Sequence, residues 1–218
     1  LTPREFSGDN GPATSAKIGE VHDLAIDDAG DLYMADHWNH CIRKIVKTTE
    51  IITTVAGICG RLNNGYLGDN VLATTTNLTF PTGVAVNSNG EIVVADKDNY
   101  RVRKVTTDGI IHTVAGNGVQ GFSGESGIAI DSKLNNPTSV AVTNNGEIII
   151  SDSGNQKIRK VDKNGVITAV AGMGVKGFSG DGGSALNALV NNAGKVVVTD
   201  TGVVLFADTG NNRVRKVY

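Results

Sequence analysis

Short apolar runs, broken by Asn-, Asp- and Gly-rich turns, set the rhythm of the chain. The first run of each set is Leu24-Ala-Ile26, Val84-Ala-Val86, Val140-Ala-Val142 or Val196-Val-Val198. Turns such as Ser88-Asn89-Gly90 and Asn144-Asn145-Gly146 follow, a strong hairpin signal because Asn and Gly tolerate the positive φ that tight turns require. The second run is Leu32-Tyr-Met-Ala35, Ile92-Val-Val-Ala95, Ile148-Ile-Ile-Ser151 or Val204-Leu-Phe-Ala207. Their nearly continuous apolarity predicts strands buried on both faces. A third run, Ile/Val-Arg-Lys-Ile/Val, is separated by turns such as Thr107-Asp108-Gly109 from a fourth. That fourth run is Ile51-Ile-Thr-Thr-Val-Ala56, Ile110-Ile-His-Thr-Val-Ala115 or Val166-Ile-Thr-Ala-Val-Ala171, closed by Gly57, Gly116 or Gly172. Its Thr-rich alternation predicts an outer, half-exposed strand.

The pattern repeats. Asp36-His-Trp-Asn-His-Cys-Ile-Arg-Lys-Ile45 returns as Asp96–Val105, Asp152–Val161 and Asp208–Val217, after 60, 56 and 56 residues. A fixed period of this length marks an array of equivalent units. Four antiparallel strands with tight turns, repeated head to tail, describe an all-β propeller of four-stranded blades; a β-solenoid would have shorter coils and no internal hairpins. The repeats span about residues 6–65, 66–121, 122–177 and 178–218. Each opens with a Gly-rich connector, such as Phe6-Ser-Gly-Asp-Asn-Gly11 or Phe178-Ser-Gly-Asp-Gly-Gly183. An Ala/Leu-bearing stretch long enough for two helical turns follows it. The fourth repeat lacks its outer strand, so three complete blades and one open blade are expected, as part of a larger ring. The missing pieces would come from a longer chain or from other subunits.

Composition narrows the possible functions. The chain has 218 residues, 39% hydrophobic and 19% charged, with 28 Gly, 4 Pro and a net charge of −2. That balance gives no broad footprint for nucleic acid or anionic membranes, and no apolar run is long enough for membrane insertion. The start at Leu1 points to a mature form or an excised piece. Cys41 and Cys59 make no disulfide framework; two free thiols are expected, with a single bridge the alternative. Asn77-Leu78-Thr79 is a glycosylation sequon of the kind that arises by chance.

Pro81-Thr-Gly-Val-Ala-Val86, Gly90-Glu-Ile-Val-Val-Ala-Asp96 and Asn99-Tyr-Arg-Val-Arg-Lys104 together resemble the NHL-repeat family of β-propellers, and Asn39-His40-Cys41-Ile42 is near its eponymous triplet. The Thr-Val-Ala-Gly and Gly-Phe-Ser-Gly-Asp-Gly-Gly connectors resemble one subgroup. The resemblance implies rings usually of six blades, with partners docking on the face that carries the connectors and the second-to-third strand turns.

On that face the residues that break the repeat are the better candidates. They are His22, Asp23, His37, Trp38, Lys97, Asp98 and Tyr100, all in the first two repeats. Trp38 is the only Trp and replaces Asp98, Gly154 and Gly210; an exposed Trp suits anchoring of a partner, whereas packing on the insertion at 58–65 is the alternative. Asp36, Asp96, Asp152 and Asp208 each precede Arg43, Arg103, Arg159 and Arg215 by seven residues, a spacing that predicts structural pairs fixing the hairpins. Asp9, Asp69, Glu125 and Asp181 offer one carboxylate per connector, too few for Ca²⁺, and are expected to form turns. His22 and His37 are placed to approach each other, but no third zinc ligand is identified. No metal or cofactor is expected. The expected function is a non-catalytic recognition or scaffold propeller with a protein or glycan ligand. Its alternatives are a metal-dependent lyase or hydrolase with a channel site, and an RNA-binding module.

Overall fold

A computed structural model describes residues 5–60 and 65–218, in which the apolar runs form four antiparallel sheets. The first contains β1 (Gly11–Pro12), β2 (Val21–Ile26), β3 (Leu32–Asp36), β4 (Cys41–Ile45) and β5 (Ile51–Ala56). The second contains β6 (Val71–Leu72), β7 (Pro81–Val86), β8 (Ile92–Asp96), β9 (Arg101–Val105) and β10 (Ile110–Ala115). The third contains β11 (Gly127–Ile128), β12 (Pro137–Val142), β13 (Ile148–Asp152), β14 (Lys157–Val161) and β15 (Val166–Ala171). The fourth holds only β16 (Ala193–Val198), β17 (Val204–Asp208) and β18 (Arg213–Val217). Strand order is β1-β5-β4-β3-β2 and its equivalents, against β16-β17-β18 in the open fourth sheet. These are propeller blades, and the fourth has no outer strand among the described residues.

Two local features differ from the sequence pattern. The first strands begin three residues earlier than their apolar cores, because a bulge between Val21 and Asp23, and likewise between Pro81 and Gly83, lets the extra residues join the ladder. The Ala/Leu-bearing stretches make single three-residue 3-10 turns, at Ala13–Ser15, Ala73–Thr75, Ala129–Asp131 and Ala185–Asn187. In the first three repeats the preceding residues are drawn into β1, β6 and β11, which pair with β5, β10 and β15, and in all four the stretch is too short to be stable as a helix by itself.

The chain divides into two compact units, Leu1–Asn99 with Arg103–His112, and Tyr100–Val102 with Thr113–Tyr218. In the first, Tyr33, Ile42, Ala56, Leu78, Val84, Val94 and Ile111 form the core. In the second, Ile149, Ile158, Val190, Val196, Val204 and Phe206 do so. Burial follows expectation in β8 and β13, which are buried throughout. β2 instead alternates, with Leu24 and Ile26 exposed.

The Gly-rich connectors turn out to be clasps. Arg43, Arg103 and Arg159 are fully buried, so ion pairs and hydrogen bonds have to offset the desolvation of each guanidinium; their Nε atoms have no hydrogen-bond partner among the described residues. Each lies over a connector aromatic: Arg43 over Phe6 at 4.8 Å, Arg103 over Tyr66 at 4.8 Å, Arg159 over Phe122 at 5.2 Å. Arg215 lies 5.4 Å over Phe178. Connector carbonyls of Ser7, Gly68, Ser123 and Ser179 accept from the same guanidinium groups. Asp9, Asp69 and Asp181 then pair with Arg43, Arg103 and Arg215 at 2.6, 2.9 and 2.7 Å. The connector carboxylates thus do more than form turns. Glu125, one methylene longer, departs from this and pairs with Lys157 at 3.6 Å. The Gly closing each outer strand is required as well: at Gly57, Gly116 and Gly172 φ lies near +90°, and a Cβ would meet a carbonyl oxygen at 2.4, 2.2 and 2.2 Å.

Cys41 and Cys59 are bridged, with Cα atoms 5.1 Å apart. The expected free thiols are therefore corrected: β4 begins where the chain returns after β5, which brings the two residues within bonding range. The sequon is buried, with Asn77 7% and Thr79 5% exposed, and Thr79 Oγ1 is hydrogen-bonded to Asn99. Among the described residues no helix is long and apolar enough to cross a membrane.

Candidate binding surface on the first unit

Each second-to-third strand turn is built alike. The Asp ending the second strand accepts a backbone N–H seventeen residues earlier: Gly19 to Asp36 at 2.9 Å, Thr79 to Asp96 at 2.7 Å, Asn135 to Asp152 and Asn191 to Asp208 at 2.8 Å. An Asn three residues on (Asn39, Asn99, Asn155 or Asn211) donates to the same carboxylate and to a connector carbonyl. The next residue is left-handed: His40, Tyr100, Gln156 or Asn212. Arg103, Arg159 and Arg215 lie 3.7, 3.5 and 3.4 Å from Asp96, Asp152 and Asp208. In the first sheet the ion pair of Arg43 goes to Asp9, while its charge still acts on Asp36.

On this common frame the first turn carries uncommon side chains. His22 from β2 stacks on His37, ring centroids 3.7 Å apart and planes 7° from parallel. The His37 ring meets Phe80 at 4.9 Å and Trp38 edge-on at 6.0 Å. Phe80 meets Trp38 at 6.0 Å and His40 at 4.4 Å. Glu20 joins the group through both oxygens, accepting from the Trp38 indole and lying 3.2 Å from His22 Nε2. The Trp38 hydrogen bond, aided by His22, holds the Glu20 carboxyl below its ordinary 4.5. His37 is 8% exposed and Trp38 36% exposed. The surface thus shows an indole face whose polar edge is already satisfied, beside a half-exposed imidazole.

Of the seven sequence candidates, the structure brings His22, His37 and Trp38 into contact. Lys97 acts on His37 only through its charge and pairs with Asp98 at 3.4 Å. Asp23 is committed to the backbone N–H groups of Leu24 and Val84 at 2.9 and 3.0 Å. Tyr100 belongs to the second unit. Trp38 contacts Glu20, His37 and Phe80; the alternative of packing on the insertion falls on residues 61–64, which lie outside the described ones. Glu20, His40 and Phe80 escaped the sequence reading. Glu20 and Phe80 stand where the other repeats have Asn136 and Asn192, so the same rule of exceptions would have found them.

Among the described residues no group of three or more His, Cys, Asp or Glu is placed to hold a metal ion. The second unit has a cavity of about 540 Å³ near Thr143, Lys160, Thr199 and Tyr218. Its polar groups are largely engaged already, Lys160 with Glu147 at 2.9 Å and Thr199 with Thr201 at 2.9 Å.

Comparison with known proteins agrees with this architecture. The family described as NHL repeat matches residues 19–45 and 78–105, and the Teneurin NHL domain matches residues 117–176. Human Teneurin-1 is 29% identical over 233 residues, covering 96% of this chain and 8% of that protein; the chain therefore spans less than a tenth of that relative. A structural-genomics protein from Bacteroides thetaiotaomicron superposes with a TM-score of 0.71 at 21% identity, over 91% of this chain and 47% of that one. A streptogramin B lyase superposes with a TM-score of 0.57 at 11% identity, over 98% of this chain and 56% of that one. At such identities the likeness to both solved structures is one of fold alone.

Proposed function

The chain belongs to the NHL-repeat β-propeller family, and from that premise we propose that it is a non-catalytic recognition propeller. Its first unit presents Trp38, His22 and Glu20 to a protein or glycan partner. The observation that carries this reading is the Trp38 group itself. A repeat fold reuses one solution in every blade, yet here one turn replaces small or charged residues with a stacked, partly exposed aromatic cluster. Such anchors dominate binding energy where they are found.

The basic residues favour this over nucleic-acid binding. Arg43, Arg103 and Arg159 are buried in clasps. Lys44, Lys104 and Lys160 pair with Asp31, Glu91 and Glu147 at 2.7, 2.9 and 2.9 Å, so the repeated Arg-Lys pairs contribute little to counterion release. The disulfide fits a protein that works in an oxidising compartment. The Asp–Arg positions serve to hold the hairpins, and further blades, from a longer chain or from other subunits, cover the apolar faces left open on the first and fourth sheets.

The test is binding to arrayed proteins and glycans by the wild type and by Trp38→Ala and His37→Ala. Retention of wild-type signal by both variants, at unchanged circular dichroism, would sink the choice of surface.

A further inference from the structure

A binding anchor needs an exposed indole; it does not need two histidines stacked beneath it. The His22–His37 stack, at 3.7 Å and 7°, is stable only while at least one ring is neutral, because two imidazolium ions at that separation repel. The hydrogen bonds show which protons are in place. A carbonyl can only accept, so His37 Nδ1 carries a hydrogen and donates to Pro81 O at 3.2 Å. A proton added to His37 must therefore go to Nε2, and the new cation would sit against the His22 ring and the Phe80 ring in a place that is 8% exposed.

We propose that the His22–His37 stack is an acid-operated latch whose protonation releases the 37–39 turn and dismantles the surface that presents Trp38. The proposal deepens, and rests on, the reading of that surface as the binding surface, but the opening itself requires no partner.

The groups facing His37 come from every neighbouring element. His22 is on β2, Glu20 precedes it, Phe80 and the Pro81 carbonyl lie at the start of β7, and Lys97 follows β8. Asp98 is paired with Lys97, and His40 lies across Phe80, accepting its N–H at Nδ1 over 3.1 Å. Glu20 favours the protonated ring, but it is already shared between Trp38 and His22. Burial first, then the charge of His22, push His37 down from 6.5 to about 4. The folded value lies below the unfolded one. Stability supplied by the closed turn is therefore present above pH 6.5 and is lost as the pH falls toward 4. His37 thus resists protonation in place and gains it on opening, which is what a latch requires.

Trp38 is the only Trp in the chain, so its fluorescence reports on this site alone. Acrylamide quenching of Trp38 in the isolated protein should rise about twofold as the 37–39 turn opens, reversibly, with a midpoint between pH 6.5 and 4. His37→Phe keeps a ring in the stack but cannot take a proton, and should abolish the transition. His40→Gln should keep it, since Gln156 makes the equivalent contact to Asn192 N–H at 2.7 Å. Should His37→Phe fold poorly, imidazole NMR signals of the wild type give the same answer, with His37 expected to titrate at the Trp38 midpoint. Flat quenching down to pH 4, a transition that survives His37→Phe, or a His37 midpoint unrelated to that of Trp38 would each overturn the latch. Loss of the latch with binding intact, or the reverse, separates it from the reading of the surface.

Discussion

Asp152 is fully buried at the end of β13, and burial raises its carboxyl to about 6 despite the Asn135 N–H, Asn155 and the nearby Arg159. Its folded value exceeds its unfolded one, so its contribution to stability is complete below pH 3.8 and is lost as the pH rises through about 6. The direction is opposite to that of His37, and the two residues lie in different units. Asp152→Asn does not titrate. Its deficit relative to wild type in denaturant unfolding should therefore grow as the pH is lowered from 7 to 4, by up to about 3 kcal/mol. A deficit independent of pH would show that Asp152 is ionised in the fold at ordinary pH without strain.

At the scale of the element, the unit of construction is a hairpin plus its clasp. Arg159 illustrates the balance: it bonds the Ser123 and Lys133 carbonyls at 2.9 and 3.3 Å, lies 3.5 Å from Asp152 and stacks on Phe122. Arg159→Met removes the cation 3.5 Å from a buried carboxylate, and breaking such a pair costs about 3–5 kcal/mol. Phe122→Ala loses a cation–π contact of about 0.5–2 kcal/mol along with its packing. Chemical denaturation should rank the first variant below the second; the reverse order would make the ring, and not the ion pair, the core of the clasp.

These elements were legible in sequence to different degrees. Strands and hairpins could be read because alternation and Asn-Gly turns act over a few residues. The Asp-to-Arg spacing was also readable, since it spans one hairpin. The clasp was not, because Phe6 reaches Arg43 and Asp181 reaches Arg215 across 34 residues or more, a distance at which no local pattern signals contact. The bridge between Cys41 and Cys59 needed Cα positions that a count of cysteines does not supply. His22 and His37 were recognised as neighbours, while their partners Glu20 and Phe80, although visible as exceptions to the repeat, were passed over.

At the scale of the molecule, two sheet faces differ from their counterparts. Leu24 and Ile26 on β2 are 53% and 68% exposed, whereas Val84 and Val196 at the equivalent of Leu24 are 1% and 0%. Val214 on β18 is 76% exposed, whereas Ile42, Val102 and Ile158 are 0%. Apolar faces and an open strand edge of this kind favour association. The 218 residues alone should self-associate at micromolar concentration in sedimentation experiments, and Ile26→Lys with Val214→Lys should shift them toward monomer. A wild type that sediments as a monomer would mean that these faces need no cover.

The central claim is that recognition resides in the aromatic exception of the first unit. It is tested most directly by the equilibrium dissociation constant of the best partner from arrayed proteins and glycans, measured by interferometry at pH 7.5 for wild type and Trp38→Ala. Loss of a central aromatic anchor should weaken binding at least about tenfold, or about 1.4 kcal/mol, with the fold unchanged. Equal affinity of the two proteins would contradict the account and move the binding surface elsewhere.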